Sequence, residues 1–377
     1  MIQIRDKQKC TGCTACMSAC AKHAISMVVD EQGFQYPYTD VTKCTGCGVC
    51  DAVCPFNRPM ETPQVAHAYA VKHKNSQILK ESTSGGLFTA VSDYVMKQGG
   101  AVYGAVLDGS LVVRHIRAVA AEDRDRMRGS KYVQSDLENV FCQVKKDLAN
   151  NKKVLFTGTP CQIAGLKSYL RNKCDGLICM DLICHGVPSP MIYKEHICFL
   201  TKRLKAKIID YKFRPKKWGW HVHRELVCGE KKIYHSNPYT DMWRNIYYSR
   251  IAMRPSCNNC AYANLNRVGD ITLGDCRGID NVDPDFGSYD GVTLAIINTQ
   301  TGKDVFESIS NTITYKSLCI NDVMQPPLKQ SGQSNKNSER FFSLYREYGY
   351  AKAIMYFYGR LYPLKYYLKK YFFKKRV

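Results

Sequence analysis

The sequence predicts a small α+β module, then a larger α/β domain with an antiparallel β-rich insertion, and last a helical tail. Three observations predict this order. One cysteine spacing occurs twice between residues 10 and 54. Beyond it, apolar runs of strand length alternate with segments of helical period. From Phe341 onward tyrosines interleave with lysines and arginines. The expected boundaries are 1–60 for the module, 61–150 and 151–335 for the two parts of the α/β domain, and 336–377 for the tail.

The repeated spacing is Cys10-x2-Cys13-x2-Cys16-x3-Cys20 and Cys44-x2-Cys47-x2-Cys50-x3-Cys54-Pro55. It is the known signature of two cubane 4Fe-4S clusters, in which three cysteines of each run cap one cluster and the fourth crosses to the other. Cys10, Cys13, Cys16 and Cys54 are therefore expected at one cluster, and Cys44, Cys47, Cys50 and Cys20 at the second. Structural zinc also takes four cysteines, but usually as two separated pairs. Thr11-Gly12 and Thr45-Gly46 put small or φ-tolerant residues where backbone must wrap a cluster and donate N–H groups to sulfur. Ala21 stands where the signature has proline after the fourth cysteine. Residues 25–29 and 34–38 are β-prone and read as a hairpin between the runs, and 55–63 as a linker. The module is thus ferredoxin-like.

The chain has 377 residues, enough for two or three domains. Nineteen cysteines would suggest disulfides in a short secreted chain, but this one is long and the number is odd. Met1 to Lys9 lacks the apolar centre of a signal peptide, and no run of apolar residues is long enough to span a bilayer. Cluster thiolates need a reducing compartment, so the expected location is cytoplasmic, or peripheral at the inner face of the membrane. The formal charge of +21 raises the question of nucleic acid. Each thiolate-ligated cube carries about −2, which the formal count omits. Much of the excess lies in the tail, and no DNA- or RNA-binding motif is present. Nucleic acid is not an expected partner.

In the α/β domain, Ser84-Gly85-Gly86 opens an apolar-periodic helix ending near Gly99-Gly100, and 101–107 is a strand. A second strand at 153–157 leads through Gly158-Thr159-Pro160-Cys161 into a helix with proline in its first turn. The near-continuous apolar run 177–183 fits a strand covered on both faces, and Ser189-Pro190 caps another helix. The period shifts towards two over 208–234, with turns at Trp218-Gly219 and Gly229-Glu230, which predicts the antiparallel insertion. A strand at 292–298, a turn at Thr301-Gly302-Lys303 and a further element over 304–309 complete the domain.

The remaining cysteines differ in context. Cys161 and Cys184 each follow a strand, at the carboxyl edge where open α/β sheets bind ligands. Cys257-x2-Cys260 follows in a later loop. These four suit one more cluster; equally, the first two suit buried apolar positions and the pair a zinc half-site. Cys142, Cys174, Cys179, Cys198, Cys228 and Cys319 read as structural, and Cys276 as either an alternative ligand or an open redox thiol.

Clusters pass single electrons, whereas organic substrates usually take two, so a flavin commonly joins them. No G-x-G-x-x-G follows a strand. Ser84-Gly85-Gly86 and Gly158-Thr159, each at a helix start, offer N–H groups for a pyrophosphate, or else are simple turns.

Several segments together resemble the coenzyme F420 hydrogenase/dehydrogenase beta-subunit family. They are Ser84-Gly85-Gly86, Gly129-Ser130-Lys131-Tyr132-Val133-Gln134-Ser135, Gly158-Thr159-Pro160-Cys161-Gln162, Asp181-Leu182-Ile183-Cys184-His185-Gly186, Cys257-x2-Cys260 and Arg267-x2-Asp270-Ile271-Thr272-Leu273-Gly274-Asp275. The resemblance spans residues 5 to 330. It implies an FAD-binding α/β domain and a third 4Fe-4S cluster at Cys161, Cys184, Cys257 and Cys260. It makes Ser84, Gly85, Gly86, Lys131, Gly158 and Thr159 candidate FAD contacts. Lys131 would stabilise the anionic reduced flavin, or else is a solvated surface lysine; His185, from its place beside a ligand position, would donate a proton to the reduced substrate or make a structural hydrogen bond. Related chains occur in cell-surface polysaccharide biosynthesis. Where relatives have Phe-Trp-Gly after Gly274-Asp275, this chain has Cys276-Arg277-Gly278.

The expected function is an iron–sulfur flavoprotein oxidoreductase, passing electrons from a redox partner protein or small-molecule donor through the clusters to FAD and an organic acceptor. The alternative is a non-catalytic electron-transfer or adaptor subunit of a larger complex; an iron–sulfur redox sensor is a third class. The tail 341–377 suits contact with an anionic membrane surface, or a terminal helix packed on the protein.

Overall fold

The computed structural model describes residues 1–57, 67–171, 174–220, 222, 224–230, 233–236, 241–287 and 289–359. In the amino-terminal module, β1 (Ile25–Val29) and β2 (Gln35–Thr39) form the expected antiparallel hairpin, pairing Ile25 with Thr39 and Val29 with Gln35. Most of the linker expected at 55–63 lies outside the described residues.

The main sheet has eight strands. They are β3 (His67–His73), β4 (Ala101–Leu107), β5 (Val113–Ala118), β6 (Val154–Gly158), β7 (Leu177–Leu182), β11 (Ile271–Asp275), β12 (Thr293–Ile297) and β13 (Ile313–Leu318), in spatial order β13-β3-β12-β11-β7-β6-β4-β5. The central run β4, β6, β7 and β11 is parallel; the outer pairs are antiparallel. A separate three-stranded antiparallel sheet, β10-β9-β8, comprises β8 (Ile208–Lys212), β9 (Leu226–Gly229) and β10 (Ile233–His235). This is the expected insertion.

Both faces of the parallel centre are covered, which explains its unbroken apolar runs. Val102, Leu155, Ile178 and Met180 face one way, against Leu87, Val91 and Val95 of the Leu87–Lys97 helix and Val305 and Phe306 of the Gln300–Ser308 helix. Ala101, Tyr103, Phe156, Leu177 and Cys179 face the other way, against Phe141 and Val144 of the Val140–Ala149 helix and Ile163 and Leu166 of the Pro160–Leu170 helix. Ala15 and Val53 of the amino-terminal module belong to this second layer. The module is therefore docked on the sheet domain through a shared apolar core.

One expectation changes. Thr301-Gly302-Lys303 is the first turn of the Gln300–Ser308 helix, because the Thr299 side chain caps it by accepting from the Gly302 N–H. Strand β3, from the 61–150 part, lies between β12 and β13, so the two parts of the α/β domain share one sheet. The helix Ser338–Tyr358 turns at Gly349, whose φ of +77° only glycine adopts readily. It buries Phe341, Phe342, Tyr350 and Ile354 in a core with Ile192 and Ile246. This face is packed against protein, as in the packed-helix alternative for the tail, while Tyr348, Met355 and Tyr356 stay exposed; residues 360–377 lie outside the described residues. Among the described residues no helix is long and apolar enough to cross a membrane.

Candidate functional site

The first thiol set is built by tight turns. Gly12 (φ +69°) and Thr14 (φ +63°) bend the backbone around the short helix Ala15–Ala19. Cys10, Cys13, Cys16 and Cys54 thereby line one pocket, open to solvent, with Pro55 and Gly12. Burial pushes the Cys13 thiol up to about 11, and the neighbouring thiols of Cys10 and Cys54 add to the rise. Cys16 is raised likewise, by burial first and then by Cys13, Cys10 and Cys54. Such mutual repulsion shows four sulfurs facing one space, and thiolates crowded this way are stable only when bound to cationic iron. Backbone N–H groups of Gly12, Ala15 and Met17 point at the sulfurs of Cys10, Cys13 and Cys16. Cavity, sulfurs and donors fit a cubane cluster.

Cys44, Cys47, Cys50 and Cys20 follow the same local design, with Gly46 (φ +70°) and Gly48 (φ +73°) wrapping the chain. Cys50 and Cys20 pack with Ile2 and Ile25 beside Cys16 and Cys54, whereas Cys47 is exposed. The Ala24 N–H donates to the Cys20 Sγ at 3.3 Å. This set lies nearer solvent than the first.

The structure also brings Cys161, Cys184, Cys257 and Cys260 together. Burial raises the Cys161 thiol far above its ordinary range, with Cys260, Cys184 and Cys257 adding to the rise. Cys184 is pushed up to about 12 by burial and then by Cys257 and Cys260. Cys161 sits in the first turn of the Pro160–Leu170 helix, which a reciprocal Thr159–Gln162 capping box fixes. Cys184 follows β7, and Gly186, at φ +106°, turns its N–H onto the Cys184 Sγ at 3.4 Å. N–H groups of Val187, Tyr262 and Ala263 reach the sulfurs of Cys257 and Cys260. Among the described residues no three of His, Cys, Asp or Glu come close enough to hold a single metal ion. A four-iron cube spreads its ligands over four corners and does not need that closeness.

A buried ion pair holds this third set in register. Arg267, 1% exposed, meets Asp181, fully buried at the end of β7, at 3.1 Å. Its Nη1 donates to the carbonyls of Tyr262 and Asn264 (3.0 and 3.2 Å) and its Nη2 to that of Leu182 (2.9 Å). The strand leading to Cys184 and the loop following Cys260 are thus clamped by one guanidinium.

The first and third sets are neighbours. Tyr262, whose hydroxyl pKa burial raises, senses the charges of Cys161 and Cys260 on one side and Cys13 and Cys54 on the other. Arg254 donates from Nε to the Cys10 carbonyl at 2.9 Å, while its own carbonyl accepts from the Cys257 N–H at 2.9 Å.

The residues expected at a flavin have other partners. Gly85 donates its N–H to the Thr293 Oγ1 at 2.7 Å, and a Cβ there would meet the Val71 carbonyl at 2.0 Å. Ser84 donates its hydroxyl to the Val292 carbonyl at 2.7 Å, and Gly86 takes φ +85° to start the helix against His73. Ser84-Gly85-Gly86 is therefore a close-packing turn against β3 and β12. The Thr159 N–H bonds the Gln162 Oε1 at 2.9 Å, Pro160 has no N–H, and Gly158 closes β6. Lys131 gives its Nζ to three carbonyls, of Arg126, Met127 and Arg128, at 3.1, 2.8 and 2.9 Å. Burial pulls its pKa down to about 7. It clasps a helix end rather than reaching for a ligand. Burial first, and then the nearby Arg277 and Arg250, pull the His185 pKa down to about 4. Cys276 is fully buried in an apolar cluster with Trp220, Ile279 and Val292, which makes it neither ligand nor open thiol.

One feature went unread in the sequence. A small aromatic pocket, with room for about one water, is lined by Tyr132, Tyr211, Phe213, Trp243, Tyr247 and Tyr248, with Asp241 and Arg244. Tyr247 senses the Cys184 thiol, so this aromatic space adjoins the third set. Tyr132 and Tyr247 have ring centres 4.5 Å apart, and Arg214 holds Asp275 in a two-bond pair (2.6 and 3.1 Å) beside them. The run Ile246-Tyr247-Tyr248 was the available signal, but the aromatic partners come from segments far apart in sequence.

Comparison with known proteins agrees with the site at the level of domains. Residues 9–58 match a 4Fe-4S dicluster domain, and residues 151–319 match the C terminus of the coenzyme F420 hydrogenase/dehydrogenase beta subunit. A chain of the F420-reducing NiFe hydrogenase complex from Methanosarcina barkeri is 18% identical, with 78% of this chain and 91% of that chain covered and a TM-score of 0.48. No curated protein matches the sequence.

Proposed function

Since residues 9–58 form a 4Fe-4S dicluster domain and residues 151–319 the C-terminal domain of the coenzyme F420 hydrogenase/dehydrogenase beta-subunit family, we propose that this chain is an iron–sulfur flavoprotein oxidoreductase. Electrons from a partner protein or small donor arrive at the solvent-facing set Cys44, Cys47, Cys50 and Cys20. They continue through Cys10, Cys13, Cys16 and Cys54 to a third cluster at Cys161, Cys184, Cys257 and Cys260. The observation that carries this reading is contiguity: Tyr262 lies within electrostatic reach of both the first and the third thiol sets. FAD, when bound, supplies the conversion between one-electron and two-electron chemistry. The aromatic cluster of Tyr132, Trp243, Tyr247 and Tyr248 beside Cys184 offers stacking faces to a ring once these side chains part to admit one. Asp181 and Arg267 hold the segments bearing Cys184 and Cys260 still.

A second reading is favoured by one observation. The N–H groups of Gly85 and Thr159 already bond side chains, which suits a carrier or adaptor subunit without flavin. Service in polysaccharide biosynthesis rests on the sequence resemblance alone, and membrane-surface contact on the basic, tyrosine-rich composition of residues 341–377. Anaerobic purification followed by iron, sulfide and flavin analysis separates the readings. Flavin absorption with about twelve irons, from three four-iron clusters, supports the reductase. About eight irons without flavin supports the carrier.

A further inference from the structure

We propose that Arg254, supplied by the sheet domain, is the counter-cation of the cluster at Cys10, Cys13, Cys16 and Cys54 and makes that cluster the more easily reduced of the ferredoxin-type pair. The proposal rests on the cluster assignment above.

Arg254 is 1% exposed. It follows a short bridge between Pro188 and Met253, and its N–H donates to the Val187 carbonyl at 3.0 Å. The side chain then crosses into the amino-terminal module. Nε donates to the Cys10 carbonyl at 2.9 Å, Nη1 to the Gln134 Oε1 at 3.1 Å, and Nη2 to the Gln35 carbonyl at 2.9 Å. Nη2 also lies 3.8 Å from the Cys10 Sγ. The guanidinium stands 4.5 Å from the Tyr36 ring centre and 5.4 Å from that of Phe34. Gly12 leaves room for it: a Cβ there would meet Nη1 at 3.0 Å.

Every one of these partners is neutral, and among the described residues Arg254 forms no ion pair with a carboxylate. A guanidinium buried without an anion is strongly destabilising. The anion that balances it is the thiolate-ligated cube, which is negative when oxidised and more negative once reduced. A fixed cation therefore stabilises the reduced state and raises the potential of that cluster. The set at Cys44, Cys47, Cys50 and Cys20 has no equivalent among the described residues. The Met1 ammonium, which senses Cys50 and Cys44, is partly exposed and already paired with Asp51 at 3.0 Å. An electron leaving the outer cluster, which is oxidised, reduces the inner one, and no proton or bond change is required. The asymmetry directs electrons towards the Pro160–Leu170 helix and Cys161.

The test is an anaerobic redox titration of the full chain followed by electron paramagnetic resonance, with iron measured on the same samples. Arg254→Gln is expected to keep its iron and to weaken reduction of one ferredoxin-type cluster at least about tenfold, ~59 mV for one electron, leaving the other unmoved. Arg254→Lys should restore most of the shift. Gln134→Glu, which keeps Arg254 and sets a carboxylate beside it, should move the same cluster in the same direction, so the idea is tested even if Arg254→Gln fails to fold. Iron retained with both potentials unchanged in Arg254→Gln, or in Gln134→Glu, overturns the role of Arg254. A wild-type protein without the two ferredoxin-type signals overturns the cluster assignment instead.

Discussion

Gly165 lies against Cys13 so closely that a Cβ added to the glycine would stand 2.7 Å from the Cys13 Cβ and 2.8 Å from its Sγ. Gly165 sits one helical turn beyond Cys161 in the Pro160–Leu170 helix. One rigid element thus supplies a thiol to the third set and a bare backbone surface to the first. The close approach of the two thiol sets depends here on the absence of one methyl group.

Gly165→Ala tests that contact. Cys13 cannot retreat while bound to iron, so the helix must move. The variant should lose about 1–3 kcal/mol of stability, as overpacked cores do, measured by chemical denaturation under anaerobic conditions. Stability unchanged from the parent would show that the module and helix are not held together as described.

The Asp181–Arg267 pair should behave as a buried clamp. Arg267→Met leaves Asp181 buried without its cation and three carbonyls without their donor. A loss of about 3–5 kcal/mol is expected. The third cluster should be lost before the ferredoxin-type pair, read as a fall in iron with the two ferredoxin signals retained. Loss of all three together would mean that the clamp supports the whole fold and not that corner of it.

His115 predicts a pH dependence. Its ring is buried, stacks on Phe156 with centres 5.4 Å apart, and holds the Thr157 carbonyl through Nε2 at 2.9 Å. Burial pulls its pKa down to about 4. In the unfolded chain the ring titrates near its ordinary value of about 6.5. Between those values the unfolded state binds a proton that the folded state does not, so stability falls as pH drops from 6.5 towards 4. The contribution is complete above the ordinary value and amounts to roughly 3 kcal/mol over the window. His115→Gln should flatten this part of the unfolding curve relative to wild type; an unchanged slope would show that the ring is not held neutral.

What the sequence disclosed, and what it hid, follows from the range of the interactions. The two cysteine runs were legible because cluster ligation is a local spacing rule, and β6, β7 and their following helices because proline, capping residues and apolar runs mark them locally. Strands β3 and β13 were missed because each is recognisable mainly through its partner, with β3 inserted between strands from the far end of the chain. The partners of Ser84-Gly85-Gly86 were not legible, because a glycine turn that admits a phosphate looks the same in sequence as one that packs on Val71 and Thr293. Those of Lys131 were hidden too: its three carbonyl partners lie only three to five residues away, on a helix end that composition did not reveal. The aromatic cavity draws on Tyr132, Phe213 and Tyr247, which no local pattern connects.

The central claim is that Cys161, Cys184, Cys257 and Cys260 hold a third cluster fed by the other two. Iron and sulfide analysis of wild type and Cys257→Ser, purified without oxygen, tests it most directly. The account predicts about twelve irons falling to about eight, with both ferredoxin-type resonances intact in the variant. About eight irons in both proteins would contradict it.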